Sequence, residues 1–289
     1  AALQNNTTAS SNTAIGYAAM DANTTGTQNT AVGYASLDAN TTASRNTAVG
    51  FEAGTNNTTG HVTAIGSYVL RANTTGSANV GVGGNDESNG GALQKNTTGS
   101  NSTAVGVAAL TENTTGAEHV AVGQGALQAN TTGNYNTAVG RVALLTNSTG
   151  SNNVALGRQA LYSNTTASNN TAVGYLALLY NTTGANNTAV GYQAGYSNTT
   201  GTQSTMIGER AGENTTTGNY NCYVGGQSGQ NATTASQNNF LGWASGYLVT
   251  TGSKNTIIGS YNGNQGGLDI RTLSNQIVLS DGDGNVRMR

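Results

Sequence analysis

The chain has 289 residues and a formal net charge of −2, and charged side chains make up 8% of it, against about 25% in typical globular proteins. This charge excludes the basic surface that nucleic acid or an anionic membrane would require, and no apolar run approaches the ~20 residues that span a bilayer. The single cysteine, Cys222, excludes an internal disulfide framework and a thiolate metal cluster. Carboxylates are few and scattered, so we expect no enzymatic activity and no cofactor.

A glycine in the recurring sequence TAVG marks a repeat that runs from Gly16 to Gly259. Twelve of the fourteen intervals between these glycines are 17 residues, and one interval is 23 because residues 84–91 carry an insertion. A fixed period sustained this long indicates a solenoid. Seventeen residues are too few for a helical hairpin, and β-branched Thr and Val between Asn and Gly favour strands. We therefore predict an all-β parallel solenoid with two short strands and two turns in each coil.

The residue before the TAVG glycine is aliphatic in every coil, which predicts that it points into the core. Thr or Val two residues earlier is then expected on the same face, because side chains alternate along a strand. Cys222 occupies that earlier position and is expected to be a small buried residue. The core positions predicted in this way include Val139, Leu156, Val173, Val190 and Ile207.

The turns are predicted from the residues that do and do not vary. The TAVG glycine never varies, which indicates a positive φ or a close backbone approach. The glycine of the NTTG turn is replaced by alanine in four coils, so that turn needs no left-handed residue. The second threonine of NTTG also never varies, and its hydroxyl could bond along the axis or to a turn amide. Asparagine recurs at both turns, where stacked amides can form ladders.

Equivalent positions in successive coils form columns, and in two of these columns the large and small side chains change places. Alanine precedes the aliphatic residue in most coils, and leucine or methionine lies four residues after the glycine. Near the C-terminal end the order inverts: Met206, Tyr223 and Phe240 replace alanine, and Gly212, Gly229 and Gly246 replace leucine. Because a close-packed interior conserves volume, both columns are predicted to face the same space, within one chain or across a subunit boundary.

One group of large side chains is a candidate interface or ligand surface. Leucine and tyrosine alternate five residues after the glycine in four successive coils, at Leu145, Tyr162, Leu179 and Tyr196. Tyr175, Tyr180 and Tyr192 lie in neighbouring columns. If these side chains point outward, they form an apolar and aromatic ribbon that needs a partner. A sister subunit is the favoured partner, and a glycan or receptor is the alternative.

Few polar residues suggest a specific site. In SDGDGN, Asp281, Asp283 and Asn285 have the first three spacings of a calcium loop, but no bidentate acid follows. We therefore predict a plain turn there and no metal site. The insertion that carries Asp86 and Glu87 is interpreted first as a surface loop and second as a receptor or ion site. His61 and His119 fall in turn columns and are expected to be solvated.

The extent of the repeat predicts how the chain is divided into domains. Residues 1–261 are predicted to form a rod of about fifteen coils, and residues 262–289, where the period fails, a short C-terminal β cap or connector. Each coil adds only about one Val and one Leu to a thin core. Association of three chains would bury what one chain cannot, so we expect a homotrimer.

The repeats are similar to those of a known group of fibrous proteins. NTAVGYASL and NTAVGYQAG (residues 29–37 and 187–195) resemble the head repeats of YadA-like trimeric autotransporter adhesins, which fold as trimers of left-handed parallel β-rolls. The 17-residue unit with its NTTG turn, and the segment 262–289, resemble phage tail fibres more closely, notably marine ones. The resemblance implies left-handed coils, a homotrimer, and a place on a virion tail fibre or an extracellular surface.

These observations predict a structural function. The chain is expected to be a rigid trimeric spacer that presents or forms a host-attachment surface, with copies of itself and a host receptor or glycan as partners. A bacterial surface adhesin or extracellular filament subunit is one alternative. An ice-binding solenoid is another, because Thr-Thr pairs recur in register, although adjacent threonines face opposite sides. A glycan-depolymerising enzyme is the weakest, because no carboxylate cluster is visible.

Overall fold

A computed structural model of the chain describes residues 1–84 and 90–288. The predictions for Asp86 and Glu87 lie outside this range. The chain consists of two compact units, Ala1–Thr149 and Gly150–Arg289, and each is described by itself. The described residues contain strands and turns and no helix, and they form the predicted parallel β-solenoid with about one strand in each 17-residue coil.

The first unit is a stack of parallel strands, in which each strand pairs with its neighbours inside the unit. The pairing is in register, so Ala14 lies beside Ala31 and Ala31 beside Ala48. The strands are β1 (Thr13–Ile15), β2 (Thr30–Val32), β3 (Thr47–Val49), β4 (Val62–Ile65), β5 (Asn79–Val82), β6 (Thr103–Val105), β7 (Val120–Val122) and β8 (Thr137–Val139).

The second unit continues the same design and ends in antiparallel strands. Its parallel strands are β9 (Val154–Leu156), β10 (Thr171–Val173), β11 (Thr188–Val190), β12 (Thr205–Ile207), β13 (Cys222–Val224), β14 (Asn239–Leu241) and β15 (Thr256–Ile258). The remaining strands are β16 (Asn264–Gln265), β17 (Leu268–Asp269), β18 (Ile277–Ser280) and β19 (Val286–Met288). β16 and β17 form a hairpin, and β19 pairs antiparallel with β18. Because β18 pairs parallel with β15, the stacking extends into residues 262–289, the predicted C-terminal cap or connector.

In the part of the chain that the structure describes, each repeat has one strand, not the two that were predicted. In a typical coil, Ala35, Leu37 and Arg45 have φ values of 50°, 50° and 62°, a left-handed conformation that interrupts extended backbone. The turns nevertheless bond to adjacent coils, since the Leu37 N–H donates to the Ala53 carbonyl at 3.0 Å. Inter-coil hydrogen bonding therefore continues beyond the strands.

The predicted direction of the strand side chains was wrong. In β2 the middle residue, Ala31, is fully buried, while Thr30 and Val32 are partly exposed. Leucines such as Leu37 fill the interior opposite the strand and leave room for little more than a methyl group. The larger aliphatic residue therefore points outward.

The same correction applies to every core position named from the sequence. Leu156 is 46% exposed and Ile207 is 39% exposed, and three valines are partly exposed, namely Val139, Val173 and Val190. Cys222, expected to be buried, is also partly exposed.

The exchange of size between two columns is confirmed, and it takes place inside a single chain. A Cβ atom at Gly229 would lie 2.7 Å from the Tyr223 ring, and one at Gly212 would lie 2.7 Å from the Met206 sulfur. Tyr223 and Met206 are fully buried. The large residue on the strand therefore occupies the space that leucine fills in other coils.

The expectations for the two turn glycines are also confirmed. The TAVG glycines have φ values between 106° and 139°, and a Cβ atom at Gly106 would lie 2.8 Å from the Gly123 carbonyl group. Both a left-handed backbone and a close approach therefore require glycine there. The NTTG glycines, such as Gly26, have no positive φ.

Buried asparagine ladders join the coils at both turns, as the stacked-amide prediction required. In the NTTG ladder, the Asn40 side-chain amide donates to the Asn23 side-chain oxygen at 2.9 Å and to the Ala43 carbonyl at 3.1 Å. In the ladder before the strands, the Asn29 side-chain oxygen accepts the Asn46 N–H at 2.8 Å. The ladders supply buried backbone groups with the partners they need.

The threonine prediction was wrong in its position. The first threonine of NTTG, not the second, bonds along the stack: the Thr24 hydroxyl donates to the Thr41 carbonyl at 3.1 Å. The second threonine, for example Thr25, is exposed. Nothing in the fold explains why it never varies.

Candidate interaction surfaces

The outward face of the strands is the most extensive candidate surface. We call it the strand face and define it as the outward-pointing residues of the parallel strands, such as Thr30 and Val32. Its exposed aliphatic residues in the first unit are Ile15, Val49, Ile65, Val80, Val105, Val120 and Val122, between 36% and 61% exposed. In the second unit they are Val154, Leu156, Ile207, Leu241, Ile258 and Ile277.

The strand face is regular and uncharged in both units. In β1–β15 its outward positions hold Thr, Val, Ile, Leu, one Cys and one Asn, and no charged residue. Parallel in-register pairing repeats these side chains about every 4.8 Å. Soluble monomers rarely expose apolar patches larger than a few hundred Å². Sequence reasoning missed this surface because it placed the aliphatic column in the core.

Exposed aromatic rings stack along the column that follows the TAVG glycine. In the first unit the ring centroids of Tyr17 and Tyr34 lie 5.5 Å apart, and those of Tyr34 and Phe51 lie 5.1 Å apart, with nearly parallel planes. In the second unit Tyr175 and Tyr192 stack at 5.8 Å. Ring faces within a stack cover one another, so mainly the edges and the end rings remain open.

The predicted apolar ribbon is not a continuous exposed surface. Leu179 is only 7% exposed, since its column neighbours one coil away are the large side chains of Tyr162 and Tyr196. Tyr162, Tyr196 and, in the first unit, Leu145 are partly buried.

The tyrosines beside this column are exposed and form pairs. Tyr175, Tyr180 and Tyr192 are exposed, and Tyr180 packs edge-on against Tyr196 with 5.1 Å between ring centroids. The Arg158 guanidinium lies over the Tyr175 ring at 5.6 Å. The structure therefore brings these residues together as paired rings, not as a ribbon.

The calcium-like sequence near the C-terminus forms a hairpin turn between β18 and β19. The Asp281 carboxylate accepts the backbone N–H of Asn285 at 2.9 Å and that of Asp283 at 3.1 Å, and the Arg287 guanidinium also binds it. These contacts, led by the Asn285 N–H, lower the pKa of Asp281 to about 2. The carboxylate that a cation would need is thus occupied by donors of the turn. Within the described residues no group of three or more His, Cys, Asp or Glu could hold a metal ion.

His119 is buried, contrary to the expectation of a solvated turn residue. It stands in the asparagine ladder before the strands and is 1% exposed. Its Nδ1 accepts the Asn136 N–H at 3.3 Å, and the ring also hydrogen-bonds the Gly133 carbonyl. Burial lowers its pKa from 6.5 to about 4. Its position in an asparagine column was the signal that it would be buried.

Comparison of the chain with family models, curated proteins and solved structures finds no match. In residues 1–84 and 90–288, no helix is long and apolar enough to cross a bilayer.

Proposed function

We propose that the chain is a structural component of an attachment fibre of the phage-tail type, assembled from three copies that cover one another's strand faces. The observation that carries this proposal is the strand face itself, an uncharged array of partly exposed aliphatic side chains. Covering the exposed part of the aliphatic side chain in each coil would contribute about 1 kcal/mol per coil to the free energy of association. Repetition over many coils makes even this small gain large.

The bonding between coils suits a mechanical function. Within each unit, neighbouring coils are joined by backbone hydrogen bonds in strands and turns, by buried asparagine amides and by threonine hydroxyls. This bonding makes each unit resist bending, because its inner coils contact the coils on both sides. Three aligned chains would present any receptor contact three times and so raise its avidity. The resemblance of the repeats to phage tail fibres supports this assignment, and a bacterial surface adhesin would use the same physics.

Lysine substitution on the strand face tests the proposal. Val105 and Val122 lie in adjacent coils and are both partly exposed. We expect the double variant Val105→Lys/Val122→Lys to sediment as a monomer, because association would bury two stacked ammonium groups without partners. The matched control is Thr98→Lys/Thr115→Lys, which adds the same charges to exposed turn residues of neighbouring coils. If both variants associate equally, the strand face is not the interface.

The same face supports a second candidate, ice binding. Threonine and valine on the strand face are separated by a buried alanine, as in Thr30-Ala31-Val32, so both point outward. The objection that adjacent threonines face opposite sides applies only to the NTTG turn. A folded monomer that produces thermal hysteresis, lost in Val105→Lys/Val122→Lys, would favour this candidate over the fibre.

A further inference from the structure

A groove lies in the second unit, where the last regular coils meet the C-terminal hairpins. Its volume is about 460 Å³, and its lining includes Trp243, Tyr247, Gln227, Asn262, Gln265 and Asp283. This volume is within the range of roughly 300 to 1,000 Å³ that is typical of small-molecule sites.

Trp243 leaves an aromatic surface open to the groove. It occupies the column that follows the TAVG glycine, where tyrosines elsewhere stack on one another, and it is 65% exposed. Its neighbours in this column are Gly226 and Ser260, which have no ring to cover the indole. A Cβ atom at Gly226 would lie 3.4 Å from Cδ1 of Trp243, so the absence of a side chain there keeps the space open.

Amide side chains from the C-terminal segment form the polar part of the groove. The Gln265 side-chain nitrogen donates to the Asp283 carbonyl at 2.8 Å, and the Asn262 side-chain oxygen accepts the Asn264 N–H at 2.9 Å. These bonds orient both amides, and each amide has further donor and acceptor capacity. Tyr247 adds a phenol, and Asp283 adds a carboxylate.

The charged groups of the groove indicate which class of ligand it can bind. Among the described residues that line it, Asp283 is the only charged one, and no lysine or arginine is present. An acidic ligand would therefore meet a carboxylate and no cation. An apolar indole surface beside amides, a phenol and one carboxylate suits a molecule with an apolar C–H face and a rim of hydroxyls.

We propose that this Trp243 groove binds a neutral hexopyranose ring of a glycan. The C–H face of the sugar lies on the indole, and its hydroxyls bond to Asn262, Gln265 and Asp283. This inference rests on the proposed attachment function, for which it names the class of receptor.

The test uses the intrinsic fluorescence of Trp243, which is the only tryptophan in the chain. The full chain is titrated with cellotriose, maltotriose and chitotriose, and with trigalacturonate as the acidic probe. We expect a saturable change in emission with at least one neutral probe, and at least tenfold weaker binding of the acidic one. The groove proposal is overturned if no neutral probe changes the emission or if trigalacturonate binds more tightly.

A variant that fills the groove separates this site from a distant one. In Gly226→Tyr a ring would stack on Trp243 as Tyr17 stacks on Tyr34, and we expect at least a tenfold loss of affinity. The control Gln124→Tyr adds tyrosine to the same column in the first unit and should bind like the original chain. Equal affinity of Gly226→Tyr and the control would overturn the proposal. Light scattering on the same samples distinguishes the two hypotheses: a trimer without sugar binding contradicts only the groove, and a monomer that binds sugar contradicts only the fibre.

Discussion

At the scale of the residue, His119 shows how one side chain can replace another in a ladder. An asparagine at this position accepts a backbone N–H from the next coil through its oxygen and donates its amide to a turn carbonyl, as Asn29 does. The neutral imidazole performs both tasks: Nδ1 accepts the Asn136 N–H, which leaves the ring proton on Nε2, and the ring hydrogen-bonds the Gly133 carbonyl. A charged ring would carry a proton on Nδ1, directed at the N–H of Asn136.

This substitution predicts a dependence of stability on pH. The folded pKa of about 4 lies below the unfolded value of 6.5, so the unfolded chain binds the extra proton between these values. The stabilisation from neutral His119 is complete above pH 6.5 and is lost as the pH falls toward 4. We expect the free energy of unfolding to fall by roughly 2.5 kcal/mol between pH 7 and pH 4.5, as measured by urea denaturation.

Two histidine variants test whether His119 causes this dependence of stability on pH. His119→Asn restores the ladder residue and should remove most of the pH dependence. His61→Asn changes an exposed histidine and should leave it intact. Parallel pH profiles for the original chain and His119→Asn would show that His119 does not cause the effect.

At the scale of the element, the period predicted the coil and its stacking but not which face of the strand is inside. Side chains alternate along each strand, so Ala lies on one face and Thr and Val lie on the other. Hydrophobicity alone favours the face with Val as the one that points into the core. The exchange between Tyr223 and Gly229 was the better signal, because only an enclosed column must conserve volume with the column opposite. The second strand of each coil was mispredicted because residues such as Leu37 have a left-handed backbone. Strand propensities of the residue types do not indicate this conformation. The Trp243 groove depends on the C-terminal fold, which no repeat predicts.

The packing of Tyr223 against Gly229 can be tested by reversing the exchange. Tyr223→Ala should cost about 3 to 5 kcal/mol of unfolding free energy, since it leaves a cavity. Gly229→Leu alone should also destabilise, because its Cβ atom would lie 2.7 Å from the Tyr223 ring. The double variant recreates the pairing of Ala172 with Leu178, and Leu178 tolerates a φ of 50° at the same position. We expect it to be more stable than either single variant in a denaturant-based double-mutant cycle. Additive losses would show that the two positions do not share space.

At the scale of the whole molecule, the proposed assembly depends on what covers the strand face. In most coils the interior is formed by alanine, leucine and asparagine, and the aliphatic residue before the TAVG glycine remains outside. The face carries no charge that would oppose stacking with another copy. Low charge throughout the chain has the same origin, because like charges opposed in adjacent coils destabilise a parallel stack. The sequence repeats without a break near residue 149, so it gave no indication of the division into two units.

In the proposed assembly, copies of the chain cover one another's strand faces, and the molar mass of the chain in solution shows whether they do. Multi-angle light scattering of the purified chain should give the mass of three chains at all concentrations at which it is folded, and that mass should persist until the fold melts. A folded chain with the mass of one copy would contradict the account.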